Sequence, residues 1–464
     1  MNRTPQHFKI YASENLADRR LRQTYHSATQ HSLEQRRKAV QHVPEWEDLR
    51  TRAHDIKQDV ISQLDFYLEQ LEAKVIQNGG KVFWARDASE ASNYVLKLCR
   101  HLKATSVVKS KSMVAEEIGL AAALEKDDIE PIETDLGEFI IQLANETPSH
   151  IIAPALHMTR QQVGKLFNQK FGIPYTDSPE KLCSFARKRL RDKFLSAKVG
   201  ISGVNFAIAD TGTIVVVENE GNARFCTTMP QVHIALMGLE KVIPHFSDLS
   251  IFLTLLPRSS TGQKQTSYVS LINGPRQVGE LDGPDEFHLI ILDNGRSKIL
   301  ADPKVRESLF CIRCGACLNT CPIYQRVGGH SYASEYSGPI GSILTPLLRG
   351  LEGAKDLPYA SSLCGACSNI CPVKIDLHHQ LLWLREQVVC RQQDSWQERV
   401  AIGLYAAIMK HIFLYRTASS SFRFLLKLLG QKGQPVRIPG WTATRDFPAV
   451  AEKSFKQLWK AKQS

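Results

Sequence analysis

Cys311-Ile-Arg-Cys-Gly-Ala-Cys-Leu-Asn-Thr-Cys-Pro322 is followed later in the chain by a shorter version of itself, Cys364-Gly-Ala-Cys-Ser-Asn-Ile-Cys-Pro372. The first stretch is a complete C-x2-C-x2-C-x3-C-P run, a spacing that holds iron–sulfur clusters. Its short gaps allow successive thiolates to converge on one cluster, and the small Gly and Ala residues let backbone N–H groups approach the sulfurs. The two runs therefore predict a segment of the chain that is built around iron–sulfur clusters.

The crossing pattern of two-cluster ferredoxins gives a ligand assignment, because in those proteins the fourth cysteine of each run binds the other cluster. The first cluster then has four ligands, namely Cys311, Cys314, Cys317 and Cys371. The second cluster has three ligands, namely Cys321, Cys364 and Cys367. Its fourth ligand is missing, because Ser361 stands where the pattern requires a cysteine. The second cluster is therefore [4Fe–4S] with water, Ser361 or a partner's ligand on one iron, or it is [3Fe–4S].

Zinc and disulfide bonds are the alternatives for these seven cysteines. Zinc also favours paired C-x2-C units, but it gives no reason for a third cysteine within one run or for the proline that follows each run. Disulfides fit less well, since no secretory signal precedes the chain and clustered cysteines suit a reducing compartment. We therefore expect iron–sulfur clusters in a cytoplasmic protein.

The length of 464 residues is enough for two or three domains with cores of their own. The composition, 43% hydrophobic and 23% charged, is typical of a globular protein in water. No run of eighteen apolar residues occurs, so we expect no transmembrane helix. The most apolar stretch, Val400 to Tyr415, is interrupted by Lys410 and His411 and predicts a buried or interfacial helix.

The formal charge of +11 is concentrated at the end of the chain. Residues 391–464 contain 13 Lys and Arg residues against 4 Asp and Glu residues. Such a segment suits an acidic partner, a peripheral contact with anionic lipid, or nucleic acid. Nucleic-acid binding is not expected, because no recognisable motif for it occurs. The alternative is a solvated basic surface beside two anionic clusters.

Helical and extended patterns alternate over the first 300 residues. Apolar residues recur at helical spacing up to about residue 75, and Gly79-Gly80 ends that segment. Helices are then predicted at 88–102, 113–125 and 179–197, the last after the cap Ser178. Strands are predicted at 81–85, 106–109, 129–133, 139–143, 203–210, 214–217, 241–243, 252–256 and 288–293. This alternation predicts a mostly parallel, doubly wound α/β sheet.

Around Asp302-Pro303 the pattern changes to helices bridged by loops, which continue to about residue 386. The 42 residues between Cys321 and Cys364 exceed the spacer of a minimal ferredoxin. Long spacers are typical of helical ferredoxin-like domains, in which helices carry the cysteine runs. A further helix is predicted over residues 375–389.

Several other residues are candidates for chemistry, each with a structural alternative. Four carboxylates near predicted strand or helix ends are either catalytic bases or helix N-terminal residues: Glu116, Glu133, Asp135 and Glu138. The stretch Asp210-Thr-Gly-Thr213 is either an anion-binding nest or a structural turn. His150 and His157 are predicted to be hydrogen-bonded core histidines. Four cysteines lack ligand spacing and are predicted to be mostly buried: Cys99, Cys183, Cys226 and Cys390.

No G-x-G-x-x-G motif follows a predicted strand, and no G-x4-G-K-[ST] motif occurs in the chain. A nicotinamide, flavin or ATP site is therefore unsupported. If a hydroxy acid is oxidised, another centre has to accept its electron pair, and two clusters then relay single electrons.

Several stretches outside the cysteine runs resemble one known family. They are Ser110-Lys-Ser-Met113 with Glu116-Glu117, Glu133-Thr-Asp-Leu-Gly-Glu138, Pro148-Ser-His-Ile-Ile152, Ala209-Asp-Thr-Gly-Thr213 and Ile438-Pro-Gly-Trp-Thr-Ala-Thr-Arg-Asp-Phe447. In this order, and together with the cysteine runs, they resemble the lactate utilization protein B family, the iron–sulfur subunits of a bacterial L-lactate oxidation system. The resemblance covers nearly the whole chain.

The helical spacing at the start of the chain and the resemblance together imply a four-part organisation, and the resemblance implies a function. Residues 1–70 would be a helical segment, 71–300 a lactate-utilization α/β domain of the NagB/RpiA/CoA-transferase-like type, 301–390 a helical ferredoxin-like two-cluster domain, and 391–464 a mostly helical, basic tail domain. The function would be electron transfer during oxidation of L-lactate to pyruvate, with two other lactate-utilization proteins as partners. The three-cysteine second run matches the family's own pattern, which favours two [4Fe–4S] clusters.

Three hypotheses about function follow. The leading one is an electron-transfer subunit of a lactate-oxidising complex, without an identified catalytic residue and with an electron acceptor that the chain does not encode. In the second, the α/β domain is itself an enzyme that acts on an organic acid or thioester, and the clusters are structural or sensing. In the third, motivated by the basic tail, the protein is a redox-sensing regulator.

Overall fold

The computed structural model describes residues 3–391, 396–429, 442, 447 and 451–463. Contacts divide the chain into two compact units, residues 1–388 and residues 389–464. The first unit contains the N-terminal helices, both sheets and both cysteine runs, so these parts are packed on one another.

Four helices form the N-terminal segment, as the spacing of its apolar residues predicts: α1 (Phe8–Ala17), α2 (Arg19–Gln41), α3 (Trp46–Ser62) and α4 (Leu64–Gln77). Asp18 caps α2 by accepting a backbone hydrogen bond at 2.9 Å. Asn15 at the end of α1 donates to the Val327 carbonyl at 2.7 Å, and Arg50 on α3 donates to the Cys371 carbonyl at 3.0 Å. The N-terminal helices therefore pack against the segment that carries the cysteines.

The described residues contain two sheets, built from β1 (Lys81–Ala85), β2 (Ser106–Lys109), β3 (Glu130–Glu133), β4 (Val199–Gly203), β5 (Phe206–Ile208), β6 (Thr213–Glu218), β7 (Val232–Gly238), β8 (Val242–Ile243), β9 (Tyr268–Ile272) and β10 (Glu286–Leu292). The larger sheet has the order β1-β10-β7-β4-β2-β3, and all its neighbouring strands are parallel. This confirms the predicted parallel α/β sheet. The smaller sheet has the order β8-β5-β6-β9 and contains the predicted hairpin, β5 with β6.

The helices of this α/β domain are α5 (Ala88–His101), α6 (Met113–Glu117), α7 (Leu120–Glu125), α8 (Leu136–Ala144), α9 (Arg160–Phe171), α10 (Pro179–Ser196), α11 (Asn222–Thr228), α12 (Leu249–Ser260) and α13 (Arg296–Ala301). Strand β10 shows how they cover both faces of the larger sheet. Leu289 and Ile291 join the core shared with the N-terminal helices, whereas Ile290 and Leu292 join the core beneath α5 and α7. Burial on both faces explains why these strands are almost continuously apolar.

Two predicted strands are helices in the structure, so those predictions are wrong. Residues 139–143 lie in α8, and residues 252–256 lie in α12. Both are short apolar runs, which fit a buried helix as well as a buried strand. The helix predicted over 113–125 is divided at Gly119, whose φ of +63° lies in the left-handed region. Strands β4, β7 and β9 were not among the predictions.

The cysteine-containing segment is helical, as predicted, and consists of α14 (Ala316–Thr320), α15 (Tyr324–Val327), α16 (Gly338–Arg349), α17 (Ala366–Ile370) and α18 (Leu377–Cys390). The long spacer between the two runs contains α15 and α16. Buried side chains of α16 and α18, among them Ile343 and Leu381, belong to the core that also contains the buried cysteines. The spacer therefore supplies apolar cover for the cysteine sites.

The second unit contains α19 (Trp396–Lys410), α20 (Ile412–Leu429) and α21 (Phe455–Gln463). The apolar stretch 400–415 is divided at His411, and its side chains are exposed rather than buried, with Leu404 at 63% and Phe413 at 76%. The other predicted possibility, an interfacial helix, stays a prediction. None of the helices in the described part of the chain is long and apolar enough to span a membrane. Residues 438–447, part of the family resemblance, lie largely outside the described residues.

Candidate iron–sulfur site and adjoining cavity

The two cysteine runs have the same backbone conformation. The residue before the second cysteine of the full pattern has a positive φ in both, +60° at Arg313 and +56° at Leu363. The glycine after that cysteine is also left-handed, with +74° at Gly315 and +77° at Gly365, and a five-residue helix follows each time. Left-handed residues turn the chain sharply. The turn brings successive cysteines to one side of each run.

The structure brings the four predicted ligands of the first cluster together from both runs. Cys311, Cys314, Cys317 and Cys371 all line one cavity. The other side chains that line it are mostly apolar and include Ile340 and Leu377. Cys371 belongs to the second run, so the crossing arrangement is present in the fold. The ligand roles themselves stay predictions.

The three cysteines predicted for the second cluster lie beside this cavity. Cys321 is close enough to Cys367 and Cys364 for their charges to interact, and Cys317 of the first group is similarly close to Cys367. Cys321 and Cys367 are buried, whereas Cys364 is exposed. Ser361 is half-buried, and its hydroxyl oxygen accepts a hydrogen bond from the Leu363 N–H at 3.1 Å. The two predicted sites are therefore neighbours with different exposure.

The donor set fits iron–sulfur clusters. Backbone N–H groups of Arg313 and Ile375 donate to the sulfurs of Cys311 and Cys371, each at 3.4 Å, which is the kind of contact that tunes a cluster. Zinc bonds to sulfur at about 2.3 Å would hold its sulfurs within about 4.6 Å of one another. Among the described residues, the groups of three ligating atoms within 4.8 Å of one another contain no cysteine. The spread of the cysteines therefore favours a larger cluster over a single zinc ion.

The ionisation of the cysteines follows their burial. Burial raises the pKa of the Cys371 thiol to about 12 and raises the pKa of Cys314 still further. At the exposed Cys364, a hydrogen bond from the Ala366 N–H lowers the pKa. Cluster iron needs thiolates, so binding at the first site has to release protons from buried thiols.

A second cavity of about 260 Å³ lies at the carboxyl end of the parallel sheet, next to the first cysteine run. Its walls include residues after β2, at the end of β4 and after β7, for example Ser112, Gly203 and Lys241. Arg313, between Cys311 and Cys314, lines both this cavity and the cysteine-lined one. The carboxyl ends of parallel strands are where open α/β sheets place their ligands.

A buried ionic network connects the sheet to the first cysteine run. Glu240 accepts hydrogen bonds from Arg296 at 2.6 Å and from Arg313 at 3.1 Å, and Arg296 also donates to Glu117 at 2.7 Å. Although burial opposes the charged form, Arg296 and Arg313 lower the pKa of Glu240 to about 2. A Cβ on Gly238 would lie 2.1 Å from the Glu240 carboxylate, so a larger residue here would have to displace the Glu240–Arg296 pair.

Two buried lysines, Lys57 and Lys241, lie beside this network. The ammonium of Lys57 donates to the Glu240 carbonyl at 2.6 Å, and burial lowers its pKa to about 7. Burial also lowers the pKa of Lys241 to about 8. In the described part of the chain, the Lys241 ammonium has no ion-pair partner, and no side chain or carbonyl accepts a hydrogen bond from it.

The carboxylates predicted near strand ends gather around two lysines. Lys109, the last residue of β2, pairs with Glu116 at 3.0 Å and Glu133 at 2.9 Å, and Lys111 pairs with Glu138 at 3.1 Å. Burial raises the pKa of Glu133 to about 8. Asp135 instead caps α8, accepting from the Glu138 N–H at 3.1 Å, which is the helix N-terminal role.

The remaining candidates have structural roles. His150 and His157 are buried and hydrogen-bonded, to Asn319 at 3.2 Å and to Glu146 at 2.6 Å, which confirms their prediction. Residues 209–212 form a turn that leads into β6, with Gly212 at φ +71° beside the backbone of Lys74, as the structural alternative predicts. Of the four isolated cysteines, two are buried and two are exposed. Cys99 and Cys226 are buried as predicted, whereas the prediction is wrong for the exposed Cys183 and Cys390.

Sequence reasoning missed Lys241, Arg313, Glu240, Arg296 and Lys57. Two signals were available. Arg313 is a charged residue inside a cysteine run, and Glu240-Lys241 follows β7, a strand that is apolar except for His233, at the edge where ligands bind. Arg296 and Lys57 contact Glu240 from segments that are far apart in the chain, so no local sequence pattern predicts these contacts.

Fold and cysteines together define a class of protein, an iron–sulfur protein in which an α/β domain with a parallel sheet is joined to a ferredoxin-like module and a helical C-terminal unit. Family models match the same parts: "LUD domain" over residues 68–292, "4Fe-4S dicluster domain" over 307–375 and "Lactate utilisation protein B, C-terminal" over 386–464. The dicluster match supports iron–sulfur clusters in this segment.

Similar proteins have been named in several bacteria. "Lactate utilization protein B" of Bacillus licheniformis is 45% identical over 97% of this chain and 96% of its own, and that of Bacillus subtilis is 43% identical over 97% and 95%. "Uncharacterized electron transport protein YkgF" of Escherichia coli is 42% identical over 98% and 97%. The chain belongs to the lactate utilization protein B family. A crystal structure of a DUF162 family protein from Deinococcus radiodurans covers 49% of this chain and 98% of its own at 12% identity, with a TM-score of 0.28.

Proposed function

We propose that this protein carries single electrons during the oxidation of L-lactate to pyruvate, as the iron–sulfur subunit of a multi-protein complex. The observation that carries the proposal is the convergence of Cys311, Cys314, Cys317 and Cys371 from both runs on one cavity, with the other three cysteines beside it. The names of its relatives, lactate utilization and electron transport proteins, agree with it.

The cofactors proposed are two [4Fe–4S] clusters, the second with three cysteine ligands, and a [3Fe–4S] second cluster is the variant. Oxidation of lactate to pyruvate releases two electrons and two protons, and each bound cluster supplies a one-electron carrier. The chain's part is to hold the first site away from water with apolar residues such as Ile340 and to leave the second site open at Cys364. Electrons would then exchange with other proteins at the open side.

The proposed partners are two other lactate-utilization proteins and an electron acceptor that this chain does not encode. The exposed apolar side chains of the second unit, among them Leu404 and Trp459, together with its basic charge, suit a partner protein or a peripheral membrane contact. Nucleic acid is not among the proposed partners. For the α/β domain we propose a NagB/RpiA/CoA-transferase-like fold, and for the protein a cytoplasmic location.

The first experiment is anaerobic purification, followed by iron and sulfide analysis and by EPR spectra before and after reduction. Near eight iron and eight sulfide per chain, with signals only after reduction, is the expected result, whereas near seven with an oxidised [3Fe–4S] signal identifies the variant. Cys311→Ser is then compared with Cys183→Ser, an exposed cysteine outside both runs. Cys311→Ser should abolish lactate-dependent electron transfer by the reconstituted complex, while Cys183→Ser should not. Full lactate oxidation by cluster-free protein, or zinc without sulfide, would overturn the proposal.

A second candidate function is supported by the cavity at the carboxyl end of the sheet. In this alternative the α/β domain is an enzyme that acts on an organic acid or thioester, and the clusters are structural or sensing. The observation in its favour is the buried, charged cavity beside Lys241. Turnover of lactate or another acid by the purified single chain, without partner proteins, would support it.

A further inference from the structure

The cavity at the carboxyl end of the sheet contains two buried cationic side chains with unused donors. Lys241 and Arg313 line it and are 8% and 7% exposed. The Lys241 ammonium lacks a hydrogen-bond acceptor among the described residues. Arg313 donates to Glu240 through Nη2, but its Nη1 is buried and has no partner in the described part of the chain. Buried donors are normally paired, so an unpaired lysine that lines a cavity is a candidate donor to a bound acceptor.

The charges in this part of the cavity are not balanced by the protein. Two buried arginines, Arg296 and Arg313, match the two buried carboxylates, Glu117 and Glu240, and Lys241 adds a buried cation without a carboxylate of its own. Both carboxylates already accept hydrogen bonds from arginine. An added anion would therefore meet cations with free donors and would not have to displace an existing partner.

We propose that this cavity binds a small monocarboxylate, whose carboxylate oxygens accept hydrogen bonds from the Lys241 ammonium and lie near the positive charge of the Arg313 guanidinium. A volume of about 260 Å³ corresponds to roughly eight or nine waters at about 30 Å³ each, which is enough for a short organic acid. The proposal deepens the proposed function and rests on it for the choice of probes, because it places an organic acid beside the first cysteine run.

The acidic part of the cavity lining sets a limit on the ligand. It includes Asp135, Glu218 and Glu220, which are half-buried or exposed, whereas Lys241 and Arg313 are buried. The acidic part is therefore the more open one. The one other cation of the described lining, Lys111, is half-buried and is already paired with Glu138 at 3.1 Å. A second carboxylate on the ligand would face these acidic side chains and be repelled, whereas a hydroxyl group would find acceptors there. The site should therefore prefer monocarboxylates to dicarboxylates.

The competing explanation is that the cations only balance the negative charge of the first cluster. Arg313 lines both cavities and suits either explanation. Lys241 lines the sheet-end cavity and is not part of the cysteine-lined one. Lys241 is nevertheless close enough to Cys311 for their charges to interact, so carboxylate binding and the potential of the first cluster have to be measured in the same Lys241 variant.

The test uses the full-length, cluster-loaded protein in its oxidised form, under anaerobic conditions and without an electron acceptor. Isothermal titration calorimetry measures binding of L-lactate and pyruvate, with succinate and malonate as dicarboxylate probes. Lys241→Met is the test variant, and Lys97→Met, at an exposed position on α5, is the matched control. Iron content and EPR spectra of each variant are recorded alongside.

Wild-type protein and Lys97→Met should bind a monocarboxylate at one site, and Lys241→Met should bind it at least ten-fold more weakly with unchanged iron content. Glu220→Gln, in the acidic part of the lining, should gain affinity for the dicarboxylates, and this second variant tests the site even if Lys241→Met does not fold. Absence of monocarboxylate binding in the wild type, or unchanged binding in Lys241→Met, would overturn the proposal. So would an altered potential of the first cluster in Lys241→Met with binding retained.

The experiments distinguish failure of the proposed function from failure of the proposed binding site. If the protein does not relay electrons, carboxylate binding and its dependence on Lys241 should still be measurable, because no electron transfer takes place in the titration. If only the binding site is wrong, the iron content and lactate-dependent electron transfer persist in Lys241→Met.

Discussion

The first and second cysteine runs fold alike but lie in different surroundings. Both have the left-handed turn before a five-residue helix, at Gly315 and at Gly365. In the first run, however, Arg313 is buried and donates to Glu240, whereas the second run has the half-buried Leu363 at that position and an exposed cysteine next to it. A short sequence pattern therefore sets the conformation of each run, and packing sets its access to water and to charge.

The largest expected difference between the runs concerns iron binding when one cysteine is removed. Cys371→Ser removes a buried cysteine that is a predicted ligand of the first site, and Cys364→Ser removes an exposed cysteine that is a predicted ligand of the second. We expect each variant to lose about half its iron, with the first-cluster EPR signal missing only in Cys371→Ser and with a larger loss of thermal stability there, because the substituted site lies in the core. Cys183→Ser serves as the control. Loss of the first-cluster signal in Cys364→Ser would contradict the ligand assignment.

The next largest effect is expected from the ionic network that supports only the first run. Arg296→Met leaves Glu117 and Glu240 buried with fewer partners, and breaking a buried ion pair costs about 3–5 kcal/mol of unfolding free energy. Arg86→Met breaks an exposed pair with Glu90 and should cost much less, because water screens exposed charges. Urea unfolding of the anaerobic protein measures both. Equal losses in the two variants would show that the buried network does not stabilise the fold.

The missing ligand of the second run offers a gain-of-function comparison. Ser361→Cys completes the cysteine pattern in a run whose backbone already matches the first. A fourth thiolate should slow the release of iron from the second site to a chelator by several-fold, with the first site unchanged. Ser362→Cys, one residue away and exposed, is the control, since its position does not fit the pattern. Equal release rates in both variants would mean that the second site takes no ligand at position 361.

A smaller, pH-dependent difference is expected from His150, which lies against Gly315 and donates through Nε2 to Oδ1 of Asn319 in the first run. Burial lowers the pKa of His150 to about 4, so the folded state favours the neutral ring. The unfolded chain binds the extra proton below about pH 6.5, and stability is therefore present above pH 6.5 and is lost as the pH falls toward 4.

The loss should be at most about 1.4 kcal/mol of unfolding free energy per pH unit in that range. Urea unfolding at pH 7 and pH 5.5 measures it, and His150→Gln should have a shallower pH dependence than the wild type. His379→Gln, at an exposed position after the second run, is the control and should keep the wild-type slope. If the unfolding free energy of His150→Gln depends on pH as steeply as that of the wild type, His150 does not cause the loss of stability.

Prediction from the sequence succeeded where the signal was local. The parallel sheet follows from alternating apolar runs, and the turn at Gly212 follows from a glycine between two apolar strands. It was wrong at residues 139–143 and 252–256, because a short apolar run carries no period that separates helix from strand. The isolated cysteines were predicted to be mostly buried from their residue type, but Cys183 and Cys390 are exposed. Burial depends on packing neighbours, which the residue type does not determine.

The cysteine spacing by itself predicts the cluster ligands, because a C-x2-C unit places its sulfurs through a few backbone angles within one short segment. The sequence also supplies the family and the class of chemistry. The charged cavity is different, since Ser112, Gly203, Lys241 and Arg313 come from four segments that only the parallel sheet and the docked cysteine module bring together. Burial of unpaired cations is a property of that packing, so it emerges only from the three-dimensional arrangement.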